Sequence, residues 1–154
     1  MPTQVIAIAL VLSWAATIAV VDYRKRRIPN VLLLLALLAT IASLVASGAT
    51  PLGIGWFDAA CGAFVGFFLA LPGYLTNRLG AGDVKLAGTC GFLIGLHGVL
   101  LTLLIAALVL GAMAFWVLRH FGAQDSKALE LPAGSALCAG LGCTILLRHL
   151  LVAW

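Results

Sequence analysis

Apolar residues fall into six blocks along the chain, separated by short polar or glycine-rich stretches. The blocks run from about Val5 to Val21, from Ile28 to about Ala46 and from Trp56 to Leu75. They continue from Val84 to about Leu96, from Val99 to Leu118 and from Leu131 to Leu151. A membrane-crossing helix takes about 20 apolar residues, so blocks of this length predict spans. The fourth is short, and either takes in flanking residues or meets a thin stretch of bilayer. Pro29 stands at the first turn of the second block, where its missing N–H costs little. Pro72-Gly73 interrupts the third block late, and a tight turn from Gly95 to Gly98, carrying His97, divides the fourth from the fifth. The expected fold is all-α: a polytopic bundle of six transmembrane helices, forming one membrane-embedded domain over residues 1–154.

Composition strengthens this reading. Of 154 residues, 64% are hydrophobic and 9% charged, against roughly 45–50% and about 25% in a soluble domain. A domain this small could not hide that surplus from water. Soluble, disordered and disulfide-scaffold classes are therefore excluded. Cys61, Cys90, Cys138 and Cys143 all lie in apolar blocks and none forms a CxxC pair. They predict no zinc site, no metal and no disulfide framework.

Charge placement sets the expected orientation. The first block lacks the basic start of a signal peptide, and its positive charge follows instead, as Arg24-Lys25-Arg26-Arg27. That arrangement predicts a retained helix with its N-terminus outside. With six spans, the cytoplasmic loops would hold Arg24, Lys25, Arg26, Arg27, Arg78, Lys85, Arg119 and Lys127, and the external side Arg148 alone. The bias favours external N- and C-termini. A basic loop of this kind determines topology near anionic lipid, and predicts no nucleic-acid partner. Gly62 with Gly66, and Gly91 with Gly95, are spaced to let helix backbones approach closely in lipid.

An acid at the end of a membrane helix needs a reason. Asp125 and Glu130 lie in the polar Arg119–Glu130 stretch and need none, and Asp58 reads as an interfacial cap. Asp22 closes the first helix, where the macrodipole disfavours a carboxylate. Asp83, in Gly80-Ala81-Gly82-Asp83-Val84-Lys85, reads alone as the N-cap of the fourth helix. The chain crosses the membrane out and back between the two, so both acids belong on the same side at similar depth. Paired carboxyls share a proton, and one can act as base on a water while the other protonates a peptide group. That chemistry hydrolyses an amide without a covalent intermediate or a cofactor. Gly80 and Gly82, lacking Cβ, would let a substrate backbone approach.

The motifs themselves are specific. Asp22-Tyr-Arg-Lys-Arg-Arg-Ile-Pro-Asn30 resembles the D-x-R-x-x-x-I-P-N signature of the type IV prepilin peptidases. Gly80-Ala-Gly-Asp-Val-Lys-Leu86 resembles their G-x-G-D-V-K-L motif, and Leu131-Pro132 is similar to their pattern before the last helix. The resemblance implies an aspartic endopeptidase of the bacterial inner membrane that cuts the short basic leader from prepilins and pseudopilins at the cytoplasmic face. Asp22 and Asp83 would be the catalytic pair. Ile28, Pro29, Asn30, Gly80, Gly82 and Lys85 would shape or support the site. Lys85 reads as a positive charge keeping one carboxylate ionised, or equally as an anchor one turn into the helix. The long form of the family carries a CxxC-bearing insertion and methylates its product. This chain looks like the short form, of tight-adherence (Flp-type) or archaeal preflagellin systems, with no methyltransferase activity. Two other readings stand beside it: a non-catalytic membrane transporter or pilus-assembly component, and a presenilin-like GxGD protease. Oligomeric state is not written in the sequence.

Overall fold

The computed structural model describes residues 2–25, 28–125 and 133–152. Among these it contains five α-helices: α1 Pro2–Lys25, α2 Asn30–Ser47, α3 Trp56–Leu75, α4 Ala81–Asp125 and α5 Ala133–Val152. Each is long and apolar enough to cross a membrane. Arg26, Arg27, Lys127, Glu130 and Leu131-Pro132 lie outside the described residues.

The expectation of six separate helices is corrected to five, because the fourth and fifth expected spans share one helical assignment. The apolar stretch of α4 covers 37 residues. Unbroken, it would be about 55 Å long, close to twice a hydrocarbon core of about 30 Å. It is not straight. Gly95 has φ of +76°, a conformation only glycine adopts without strain. A Cβ on Gly62 would run into Gly91 and Gly95, whereas one on Gly66, a turn further along α3, would meet Ala87 and Val99. That single turn of α3 moves the contact back along the first arm of α4 and forward along the second. Residues 87 and 99 would be about 18 Å apart in a straight helix. α4 therefore doubles back at Gly95, and α3 packs against both arms.

Local chemistry holds the reversal. A helix break orphans backbone groups on both sides, and in an apolar setting each needs a partner. Asp58 Oδ1 accepts the Leu96 N–H at 2.9 Å. The Thr50 hydroxyl donates to the Leu93 carbonyl at 3.1 Å, and accepts the Ile54 N–H at 3.1 Å. Asp58, expected as an interfacial cap at the edge of its own helix, instead caps a helix break distant in sequence. The α2–α3 loop is stapled to the turn of α4.

Other boundaries follow ordinary rules. Pro29 precedes α2 in extended conformation (φ −70°, ψ 124°), and α2 ends at Gly48 (φ 73°), whose N–H returns to the Leu44 carbonyl. Beyond Pro72, the Thr76 N–H and hydroxyl both bond the Pro72 carbonyl. The chain then tightens through Asn77, at φ 55°. The polar stretch expected as a loop from Arg119 continues α4 as far as Asp125.

The interior holds Ile18 of α1, Leu86, Cys90 and Val99 of α4, and Leu141 of α5. A Cβ on Gly140 would press on the Thr102 carbonyl, and Thr102 and Thr144 share a buried hydrogen bond of 3.1 Å. Close backbone approach at glycine and hydroxyl bonding between helices are the usual means of packing in lipid. The outside is apolar: Phe57, Phe64, Leu108 and Phe115 are exposed, as a lipid-facing surface requires. α2 contributes least to the interior. It rests chiefly on α4, and the Trp14 indole N–H ties its Leu32 carbonyl to α1 at 2.9 Å.

Candidate active site

Asp22 lies in the last turn of α1, where its own helix repels it. The compensation comes from α5. The backbone N–H of Ser135, in the first turn of that helix, donates to Asp22 Oδ2 at 2.9 Å. The positive end of the α5 dipole therefore faces a carboxylate that α1 disfavours. Gly134 is required by the closeness of this contact, since a Cβ there would sit 2.8 Å from Asp22 Oδ2 and 2.9 Å from its Cγ.

Asp83 is not the N-cap of its helix, as the sequence suggests. α4 begins at Ala81, one turn earlier than the apolar pattern, because Gly80 supplies the cap. The Asp83 N–H donates to the Gly80 carbonyl at 3.0 Å, and the Gly80 N–H returns to Asp83 Oδ2 at 3.0 Å. This is the reciprocal geometry of a capping box, with Asp83 three residues into the helix. Each aspartate thus sits at a helix N-terminus, Asp83 at its own and Asp22 at another.

Both side chains are buried, Asp22 at 6% and Asp83 at 9% exposure, and they lie within Coulombic range of each other. Ile28 joins them. Its Cδ1 would touch a Cβ on Gly134, beside Asp22, at 2.9 Å, and its Cβ would be 3.1 Å from one on Gly82, beside Asp83. Among the described residues each carboxyl accepts one hydrogen bond, on Oδ2. Among the described residues no side-chain oxygen is both fully buried and without a partner, so Oδ1 of each keeps some exposure.

The remaining expected residues gather at the same end. Pro29 leads into α2, and Asn30 opens it. The Lys85 ammonium contacts the Asn30 side-chain amide oxygen, Oδ1, at 3.4 Å, rather than a carboxylate. Lys85 and Asn30 are both exposed, at the rim. Sequence reasoning missed Gly134, Ser135 and Cys138. Cys138 is buried one turn into α5, within Coulombic range of both aspartates. The signal available for α5 was Leu131-Pro132, followed by the small residues Ala133-Gly134-Ser135. Among the described residues no cluster of three His, Cys, Asp or Glu side chains could hold a metal.

The model of the type IV leader peptidase family matches residues 9–116. The chain belongs to that family. No curated protein and no solved structure gives a significant match. A leader peptidase hydrolyses a peptide bond, and the apolar helices make this one a multi-pass membrane protein. The matched region contains Asp22, Ile28 to Asn30 and Gly80 to Lys85. The brace on Asp22 from α5 lies beyond it.

Proposed function

We propose that this leader peptidase is an aspartic endopeptidase that removes the basic leader of type IV prepilins, of the Flp type, and pseudopilins at the cytoplasmic face of the inner membrane. One observation carries the reading. Asp22 and Asp83, far apart in sequence, are buried on either side of Ile28, each held by a helix N-terminus with one oxygen left accessible.

In this reading one carboxylate takes a proton from a bridging water as the water oxygen bonds to the scissile carbonyl carbon. The partner carboxyl protonates the carbonyl oxygen. Collapse of the tetrahedral intermediate breaks the C–N bond, and a carboxyl proton goes to the departing amine. The helix N-termini hold both carboxyls in place through fixed dipoles that need no reorganisation. Gly80, exposed at the rim, leaves room for an extended backbone, while the space beside Gly82 is taken by Ile28. The apolar helix of a prepilin lies in lipid beside the bundle, which brings its leader junction to the membrane boundary.

The test is incubation of the purified protein with candidate prepilins from the same genome, with the new N-terminus identified by mass. The expected result is one cleavage at the leader junction, lost in Asp22→Asn and in Asp83→Asn while both proteins accumulate. Cleavage at wild-type rate in either variant refutes the reading.

A further inference from the structure

At the end of the bundle away from Asp22 and Asp83 lies a cavity of about 710 Å³. Its size is that of a small-molecule site, which runs about 300–1,000 Å³. The start of α1, the α2–α3 loop, the reversal of α4 and the end of α5 surround it. Ile8, Leu101 and Ile145 form apolar walls, while His97, Arg148 and His149 bring basic groups to the same space.

The polar groups are unevenly provided for. Asp58 also borders the cavity, but its Oδ1 takes the Leu96 N–H, and its Oδ2 lies against Gly95. Among the described residues Oδ2 accepts no hydrogen bond, so one negative group faces three basic ones across the cavity. Among the described residues, the Arg148 guanidinium and the His97 and His149 rings have no hydrogen-bond or ion-pair partner. A cation at the end of α5 complements that helix's dipole. The dipole does not explain why His97, from the break in α4, borders the same cavity as Arg148. Nor does topology require Arg148, since it stands apart from the basic residues of the expected cytoplasmic loops.

We propose that this cavity binds one anionic phospholipid, with its phosphate against Arg148, His97 and His149 and an acyl chain along Ile8, Leu101 and Ile145. A guanidinium is suited to phosphate, offering paired donors at fixed spacing. The walls supply the apolar half of the same ligand. This inference is independent of the peptidase reading.

The test uses the full chain, exchanged from vesicles of phosphatidylcholine with phosphatidylglycerol into neutral detergent. Retained lipid is counted by native mass spectrometry. One phosphatidylglycerol per protein is expected, favoured over phosphatidylcholine by about tenfold. Arg148→Gln removes that preference, whereas Arg119→Gln, an equal change of charge on α4 away from the cavity, leaves it. Leu101→Trp fills the cavity with its cations intact and displaces the lipid, and it decides the question if Arg148→Gln fails to fold. Equal retention of the two lipids, equal effects of the two arginine substitutions, or undiminished lipid in Leu101→Trp overturns the proposal. So does displacement of the lipid by inorganic phosphate alone, which would make the site one for a free anion.

Discussion

The two ends of the bundle each set a carboxylate against the backbone N–H groups of a helix start. At the α4 reversal, Asp58 is half-buried, one oxygen on the Leu96 N–H and the other against Gly95, and Thr50 covers the facing carbonyl. At the other end, Asp22 and Asp83 each accept one N–H and keep an oxygen accessible. The difference is one of arrangement. Asp58 also accepts one N–H, but it stands alone beside a break in the backbone, and that bond closes the break. Asp22 and Asp83 are buried as a pair about Ile28, and in the proposed mechanism it is the pair that binds a water and moves its proton.

The aspartate substitutions separate the two ends most sharply. Asp22→Asn or Asp83→Asn is expected to lower prepilin cleavage by about 10²–10⁴-fold, the usual contribution of positioned acid–base groups, with the thermal midpoint in detergent little changed. Asp58→Asn, which keeps an acceptor for the Leu96 N–H, leaves cleavage per folded molecule unaltered. Loss of cleavage in folded Asp58→Asn would collapse the distinction. Gly134→Ala is a subtler attack on the same end. Its methyl group needs the space of the Asp22 carboxyl. Displacement of that group by an ångström costs about 10²-fold in rate, read as a fall in kcat for one prepilin.

Substitutions at the reversal should reverse the signature, with stability lost and chemistry kept. Asp58→Ala leaves the Leu96 N–H without its acceptor, at a cost of about 1–3 kcal/mol for an unsatisfied group. Gly95→Ala forces a side chain into a left-handed conformation, at a cost of about 1–2 kcal/mol, and puts its Cβ 2.5 Å from Asp58 Oδ2. Both are checked by thermal unfolding in detergent against cleavage by the fraction still folded. A Gly95→Ala protein as stable as wild type would mean that α4 does not turn there as described.

What was legible in advance follows from where each feature resides. Asp22, Ile28 to Asn30 and Gly80 to Lys85 announce themselves because side-chain type at fixed spacing carries the information. The membrane helices show in the apolar blocks. The brace on Asp22 does not, because a backbone N–H is supplied by almost any residue. Its donor is Ser135 only because α5 begins where it does, 113 positions away in sequence. The reversal was visible as a turn from Gly95 to Gly98, yet its merging of two spans into one helix depends on Asp58 and Thr50, distant residues that satisfy the broken ladder. Asp83 was misplaced at the N-cap because apolar periodicity starts at Val84, whereas helix geometry starts where Gly80 can cap.

Lys85 supplies the smallest expected effect. The sequence left it as either an electrostatic partner of the carboxylates or an anchor, and the structure joins it to Asn30 at 3.4 Å, longer than a well-formed N–H···O bond. Both residues are exposed, and water competes for each. Lys85→Gln and Asn30→Ala should each change stability within about 0.5 kcal/mol, as surface substitutions usually do. A double-mutant cycle should show little coupling between them. The sharper measurement compares cleavage by Lys85→Gln and Lys85→Arg. Near-equal rates assign Lys85 to the rim. A large loss in Lys85→Gln that Lys85→Arg restores would bring its charge into the chemistry, and the contrast between the two ends would then rest on three charged groups rather than two.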